Sequence, residues 1–359
     1  MKMNTLAFFI WLAAVKTSSV FASPRIINGE DSKPGHFPYY VYLPVGCGGT
    51  LIAPDIVLSA AHCNKEVNVN MPVAVGSYQR WNPRSQPPPP GSQIRVCEVW
   101  IDHPQWDKNT FTYDYALCKL NANATIDESF VKLQLNEDPD APAVGTDVIA
   151  AGLGVIDDRG GPYAPPIFPK TLQNVTFPTR SQEVCKDIHS KGSYPNHVID
   201  PVTTLCADYD INDRKTACNG DSGGPLVQRV GKGDGTFVDI QYGLTSWGAW
   251  PFCGDGVFAR ISGGLDWIKT TACGELNGSG AFCGKSESEP LWVANYDWDC
   301  DDPSNKFFCE TDPQLYQVQI TPPGIDPELW PYEETKAPKK TKAPKRTKAP
   351  KRTKAPKRA

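Results

Sequence analysis

The chain has 359 residues, 40% of them hydrophobic and 21% charged, with a formal net charge of −4. That length supports one core-forming domain of roughly 200–250 residues with appended material. Beyond the N-terminus no stretch reaches the ~18–20 apolar residues of a membrane helix, so no membrane span is expected and a membrane-embedded function is excluded. The charge is unevenly placed. Thr335–Ala359 holds 12 of the 36 basic residues and no acid, so the remainder sets 24 basic residues against 40 acidic ones.

The chain opens as a secretory signal over residues 1–22. Lys2 gives a basic start, Thr5–Val15 an apolar run too short for a bilayer, and Val20-Phe21-Ala22 a cleavage site after Ala22. Twelve cysteines behind an export signal favour disulfides in an oxidising compartment, hence a secreted, extracellular protein. The five histidines are scattered and no two cysteines have C-x-x-C spacing, so no metal and no cofactor is expected. Sequons at Asn123, Asn174 and Asn277 fit the secretory route as glycosylation sites.

Short apolar runs then alternate with Gly, Pro, Asn and Asp clusters: Tyr39–Leu43, Thr50–Leu58, Ile94–Ile101, Tyr115–Leu120, Thr146–Ala151 and Tyr242–Trp247. This spacing predicts many short strands joined by turns, an all-β sandwich or barrel. Pro87–Pro90 cannot enter a ladder and reads as an exposed loop. A helix is expected only near Gly264–Thr271.

Three segments carry chemistry. In Leu58-Ser59-Ala60-Ala61-His62-Cys63 a histidine precedes a cysteine that a bridge to Cys47 would hold rigid. In Tyr113-Asp114-Tyr115-Ala116-Leu117 an acid stands at the start of an apolar strand, where it can be buried and accept from the far nitrogen of His62. In Gly220-Asp221-Ser222-Gly223-Gly224-Pro225 a serine is surrounded by glycines, which let backbone approach a substrate. Serine hydrolysis at neutral pH needs a base beside the hydroxyl, an acid orienting that base, and N–H donors where the oxyanion forms. Gly220 and Ser222 supply the backbone donors.

In this order the three motifs resemble the trypsin and chymotrypsin family, over about Ile26–Thr271. The resemblance implies two six-stranded antiparallel β-barrels of the chymotrypsin type with a C-terminal helix, within a protease domain at 26–273. It implies a catalytic triad of His62, Asp114 and Ser222. Pro24-Arg25-Ile26-Ile27-Asn28-Gly29 resembles the family's activation site. A trypsin-like protease would cut after Arg25, removing a propeptide of residues 23–25, and the Ile26 ammonium would pair with Asp221. The specificity-pocket floor falls on Thr216, with walls from Ser246, Trp247, Gly248 and Gly256. An open, uncharged slot selects a large apolar or aromatic residue before the scissile bond. Asp213 and Asp255 lie close enough in sequence to admit a charge if the loops shift. Implied disulfides are Cys47–Cys63, Cys185–Cys206 and Cys218–Cys253. Cys97 and Cys118 are paired because their runs should be neighbouring antiparallel strands. Cys273, Cys283, Cys300 and Cys309 allow three connectivities. Gly152-Leu153-Gly154 departs from the family, where many relatives carry Trp between the glycines, and the Val227–Phe237 loop reads as enlarged and able to modify substrate access.

Residues 274–332 form an aromatic, acidic, cysteine-containing extension, expected to be pinned by disulfides and packed on the protease body. Residues 333–359 carry a hexamer repeated four times from Thr335, expected to be disordered and extended. Such a tail suits an anionic surface or acidic polysaccharide. The expected function is a secreted serine endopeptidase acting on protein and peptide substrates as a monomer, with no nucleic-acid partner. The alternatives are a catalytically silent homologue acting as a secreted binding protein, and a matrix or wall protein anchored by its tail.

Overall fold

The computed structural model describes residues 29–66, 70–156, 165–190, 196–207, 215–248, 253–254 and 256–285. The expected signal, the Arg25–Ile26 bond, Asp213, Asp255, the extension from residue 286 and the basic tail lie outside the described residues.

The first barrel comprises β2 (Tyr40–Leu43), β3 (Cys47–Ala53), β4 (Ile56–Ser59), β5 (Met71–Val75), β6 (Gln93–Asp102) and β7 (Ala116–Leu120). It closes in the order β2-β3-β4-β7-β6-β5, with Val41 opposite Val75 and Tyr42 opposite Ala74. Every residue of β2, β3 and β4 is buried, because one face fills the barrel and the other is covered by the rest of the domain. The run Thr50–Leu58 is two strands rather than one. Pro54 has no N–H for the ladder, and the chain turns at Pro54-Asp55 so that β3 and β4 pair antiparallel.

The second barrel follows the path β10 (Gln173–Pro178), β9 (Asp147–Gly152), β12 (Pro225–Gly231), β13 (Phe237–Trp247), β14 (Val257–Arg260), β11 (Thr204–Cys206). The two ends meet through a Thr179–Ala207 bridge and an Arg180 N–H to Cys206 O bond of 2.8 Å. Closure rests on so little because β10 ends at Pro178, which has no N–H to donate. Two strands go beyond the expected antiparallel set. β1 (Glu30–Asp31) extends the β10 edge, and β8 (Val131–Leu135) lies parallel to β13.

The seam between the barrels is polar and buried, and hydrogen bonds cross it. Tyr39 donates its hydroxyl to Asp239, which also takes a bidentate Arg229. Gln241 Nε2 donates to Thr50 Oγ1 at 3.2 Å, and Tyr115 OH to Arg260 O at 2.6 Å. Such groups are costly unless satisfied, so they fix how the halves dock.

Two α-helices are present among the described residues. The expected one is α2 (Ile261–Thr270), which buries Ile261, Gly264, Leu265 and Ile268. The other, α1 (Gln182–Ser190), overturns the expectation of a single helix. Ser181 caps it, its Oγ accepting from Val184 N–H, and Cys185 anchors it. The Val227–Phe237 connection is a hairpin at the far end of β12 from Ser222. Seven residues of β12 separate it from the Ser222 turn.

Disulfides join Cys47–Cys63, Cys97–Cys118, Cys185–Cys206, Cys218–Cys253 and Cys273–Cys283. The last selects among the three open connectivities and leaves Cys300 and Cys309, outside the described residues. It closes a clasp over residues 273–283. Ser279 N–H donates to the buried Asp55 Oδ1 at 2.8 Å, Lys119 pairs with the other oxygen, and Gly280 fits against Pro54 where a Cβ would come within 2.6 Å. No described helix is long and apolar enough to cross a membrane.

Candidate active site

His62 sits in a short helical turn, Ala61–Glu66, directly after β4. Cys63 beside it is bonded to Cys47 at the head of β3. The imidazole is therefore carried on a cross-linked element. Asp114 enters from the segment before β7 and is 1% exposed. It is flanked by two bulky residues in left-handed backbone, Phe111 at φ 57° and Tyr113 at φ 55°. Backbone of that kind is uncommon for such side chains and marks a segment held by its surroundings.

The carboxylate accepts three hydrogen bonds. Its Oδ1 accepts the His62 backbone N–H at 2.9 Å, and its Oδ2 accepts His62 Nδ1–H at 2.7 Å. Ser246 Oγ also donates to Oδ2. Two bonds to one residue fix both the ring's orientation and its tautomer, leaving Nε2 free of this carboxylate. Ser246, expected on the wall of the specificity pocket, thus spends its hydroxyl on Asp114. The sequence Ser246-Trp247-Gly248 gives no sign of which way that hydroxyl turns.

Ser222 is half-buried in the tight turn leading into β12. Its carbonyl accepts Gly48 N–H at 2.7 Å, and Gly48 follows Cys47 of the bridge that holds His62. Gly223 (φ 74°) is packed so closely that a Cβ would lie 2.3 Å from Ser59 Oγ and 2.5 Å from Gly48 O. The Ser222 turn is pressed onto the first barrel through glycine alone. Gly220 has φ 99°, and no described residue accepts from the Gly220 or Ser222 N–H. Both donors remain available for a substrate oxygen.

Asp221 is fully buried. Its Oδ1 accepts Gly154 N–H at 2.7 Å and its Oδ2 accepts Cys218 N–H at 2.8 Å. Burial pushes its carboxyl up to about 6, opposed by those two donors and by the charge of Arg80. Gly152 and Gly154 are required here, because a Cβ on either would stand 2.1–2.6 Å from the carboxylate. The Leu153 between them is buried, so the departure from Trp changes packing and leaves the glycine pair intact.

Thr216, the expected pocket floor, is 2% exposed and donates to Ala217 O at 3.0 Å. A Cβ on Gly256 would meet Ala207 O and the Phe258 ring at 3.0 Å. That glycine lets neighbouring segments close up; it does not by itself leave an open slot. Trp247 is half-buried with the His189 and His197 rings 4.6 and 4.7 Å from it, and Phe111 stands 4.3 Å from His197 and 5.7 Å from His62. These rings form an aromatic wall that no local motif announces.

The expected glycosylation residues differ in access. Asn277 is exposed with its Oδ1 bound by Lys285, and Asn123 is half-buried against Ser279. Asn174 is buried in β10 and donates to Ser32 Oγ at 3.1 Å. Among the described residues, histidine nitrogen and cysteine sulfur crowd together at His62 and at His189, each place built on a disulfide, whose sulfurs present no thiolate to a metal.

A family model for trypsin matches residues 26–268, and the chain belongs to that family of serine proteases. Among curated proteins it is 29% identical to human serine protease 1 over 75% of this chain and 98% of that one. It is 31% identical to human cathepsin G over 69% of this chain and 87% of that one. It is also 30% identical to human serine protease 56 over 69% of this chain, where the match spans only 39% of the relative.

Proposed function

We propose that the chain is a secreted serine endopeptidase, made as a precursor and activated by cleavage after Arg25. The observation that carries this reading is the doubly bonded His62–Asp114 pair standing across the Cys47–Cys63 bridge from the Ser222 turn. Ser222 Oγ attacks the scissile carbonyl and gives its proton to His62 Nε2. The oxyanion is met by the Gly220 and Ser222 N–H groups, each worth ~2.7–4 kcal/mol on the precedent of side-chain donors. His62 then protonates the leaving amine as the C–N bond breaks. Water repeats the sequence on the acyl-enzyme.

For activation, a fully buried Asp221 whose carboxyl is pushed up to about 6 calls for a cation that two N–H donors do not supply. The Ile26 ammonium freed by cleavage is that cation. For specificity, the uncharged floor at Thr216 supports a large apolar residue before the scissile bond. The basic tail is assigned to an anionic surface or acidic polysaccharide, and the enzyme acts as a monomer.

The test is covalent labelling by an organophosphonate after cleavage at Arg25, run beside Ser222→Ala. Labelling of the parent alone, with hydrolysis of matched peptides best for Phe or Leu over Lys or Arg, is the expected result. No labelling and no turnover would instead make the chain a catalytically silent binding protein.

A further inference from the structure

Beside Gly220 a guanidinium closes on the oxyanion glycine. Arg80 lies in the segment after β5, and its Nη1 stands 3.5 Å from where a Cβ on Gly220 would be. The same nitrogen donates to Leu153 O at 2.7 Å. The group lies 3.8 Å over the Phe168 ring and 5.7 Å from the Tyr42 ring, and Arg80 is half-buried. Among the described residues no carboxylate forms an ion pair with it, and no acceptor takes its Nε or Nη2. The carboxylate whose field it influences, Asp221, is satisfied by two backbone N–H groups and walled off behind Gly154. Phe168 is 38% exposed and its neighbour Ile167 48%, so the aromatic platform under the guanidinium faces solvent.

A tie from the Arg80 segment to Leu153 would explain Nη1 and nothing else. A lysine could make that one bond without the ring contact and the unused fork. A planar cation centred 3.8 Å over an aromatic ring, with donors that no described residue takes, matches a carboxylate in geometry and charge. Its place defines what would bring that carboxylate. A substrate lays the residue before the scissile bond toward Thr216 and Trp247 and its carbonyl oxygen on the Gly220 N–H. The residues after the bond then leave past Gly220, toward Arg80.

We propose that Arg80 is a substrate-binding residue that recognises the side-chain carboxylate of an acidic residue in the first two positions after the scissile bond. This rests on the reading of Gly220 and Ser222 as the oxyanion donors of an endopeptidase. The test uses activated enzyme and C-terminally amidated peptides, identical up to the scissile bond and carrying Glu, Gln or Lys at each of the two following positions. A peptide anilide with the same upstream half and no downstream residue serves as reference for the chemical step. Glu is expected to exceed Gln about tenfold in kcat/KM, equivalent to about 1.4 kcal/mol, with Lys below both. The preference should shrink as salt rises. Arg80→Gln should bring the Glu-to-Gln ratio to about one, and Arg80→Lys should keep part of it. A ratio near one in the parent, or a preference that survives Arg80→Gln, overturns the proposal. An equal loss on every substrate in Arg80→Gln also overturns it, assigning Arg80 to the Leu153 tie alone. If the parent fails on the anilide itself, the endopeptidase reading falls first and takes this inference with it.

Discussion

Gly154 and Asp221 touch so closely that Gly154 cannot take a side chain: its N–H donates to Asp221 Oδ1 at 2.7 Å, while a Cβ on Gly154 would stand 2.5 Å from Asp221 Cγ. Asp221 lies between Gly220 and Ser222, so displacing its carboxylate disturbs the turn that carries the two N–H groups proposed as oxyanion donors. Gly154→Ala should fold and keep its His62–Asp114 pair, yet lose about 10²-fold in kcat/KM or more, the scale of one lost oxyanion donor. Steady-state kinetics normalised to active-site titration read this directly. A rate near that of the parent would show that the loop absorbs the methyl group.

Ser246→Ala removes one donor from a carboxylate that is 1% exposed. A hydrogen bond to a buried charge contributes about 1.5–3 kcal/mol. Part of that loss should appear as a fall in kcat of about tenfold, with KM little altered, because Ser246 touches Asp114 rather than substrate. Restoration of the rate by Ser246→Thr supports the donor role. An effect confined to KM assigns the residue to the pocket wall after all.

Asp221 gives the uncleaved chain a distinctive pH response. Burial raises its carboxyl from the ordinary 3.8 to about 6. Between those values the folded chain holds a proton that the unfolded chain has released, so stability falls as pH rises from about 4 to 6 and stays lower above. Thermal unfolding of uncleaved Ser222→Ala across pH 4–7 should show this decline, and Asp221→Asn should remove that part of the slope. Cleavage after Arg25 should flatten it, since an ammonium partner compensates the charge. Identical slopes before and after cleavage would count against the Ile26–Asp221 pair.

The clasp at residues 273–283 is a stability device with its weight on Asp55. That carboxylate is buried between Lys119 and the Ser279 N–H. Allowing for the partial exposure of Lys119, Asp55→Ala should cost about 2–3 kcal/mol in chemical denaturation, below the cost of breaking a fully buried pair. Turnover per active site should be unchanged at temperatures where the variant is folded. A loss of activity without loss of stability would place Asp55 in communication with the cleft.

Much of this arrangement is legible in the sequence because the chemistry imposes local patterns. A Ser222 turn pressed against the first barrel needs the glycines of Gly220–Gly224, and His62 is stiffened by the neighbouring cysteine. What escapes is whatever depends on direction rather than residue type. Nothing in Ser246-Trp247-Gly248 says that the hydroxyl faces Asp114, and a single Arg80 in a loop has no signature until its segment folds over Phe168. Helix α1 is missed because it is only nine residues long and mostly polar, with Cys185 its one buried residue, although Ser181 before an acidic first turn is a cap signal. The short alternating strand β8 is missed for a different reason. Its parallel partner β13 lies about a hundred residues further along, and no nearby turn advertises the pairing.

His62 and Asp114 come from the first barrel and Ser222 and Ser246 from the second, so the contacts that join the two halves of the site, Ser246 to Asp114 and Gly48 to Ser222, cross the seam held by Tyr39–Asp239 and Thr50–Gln241. Chain connectivity contributes little to that alignment. Two separate fragments, divided within the exposed stretch between β8 and β9, could in principle assemble a competent enzyme, whereas an unbroken polypeptide with a loosened seam would be inert.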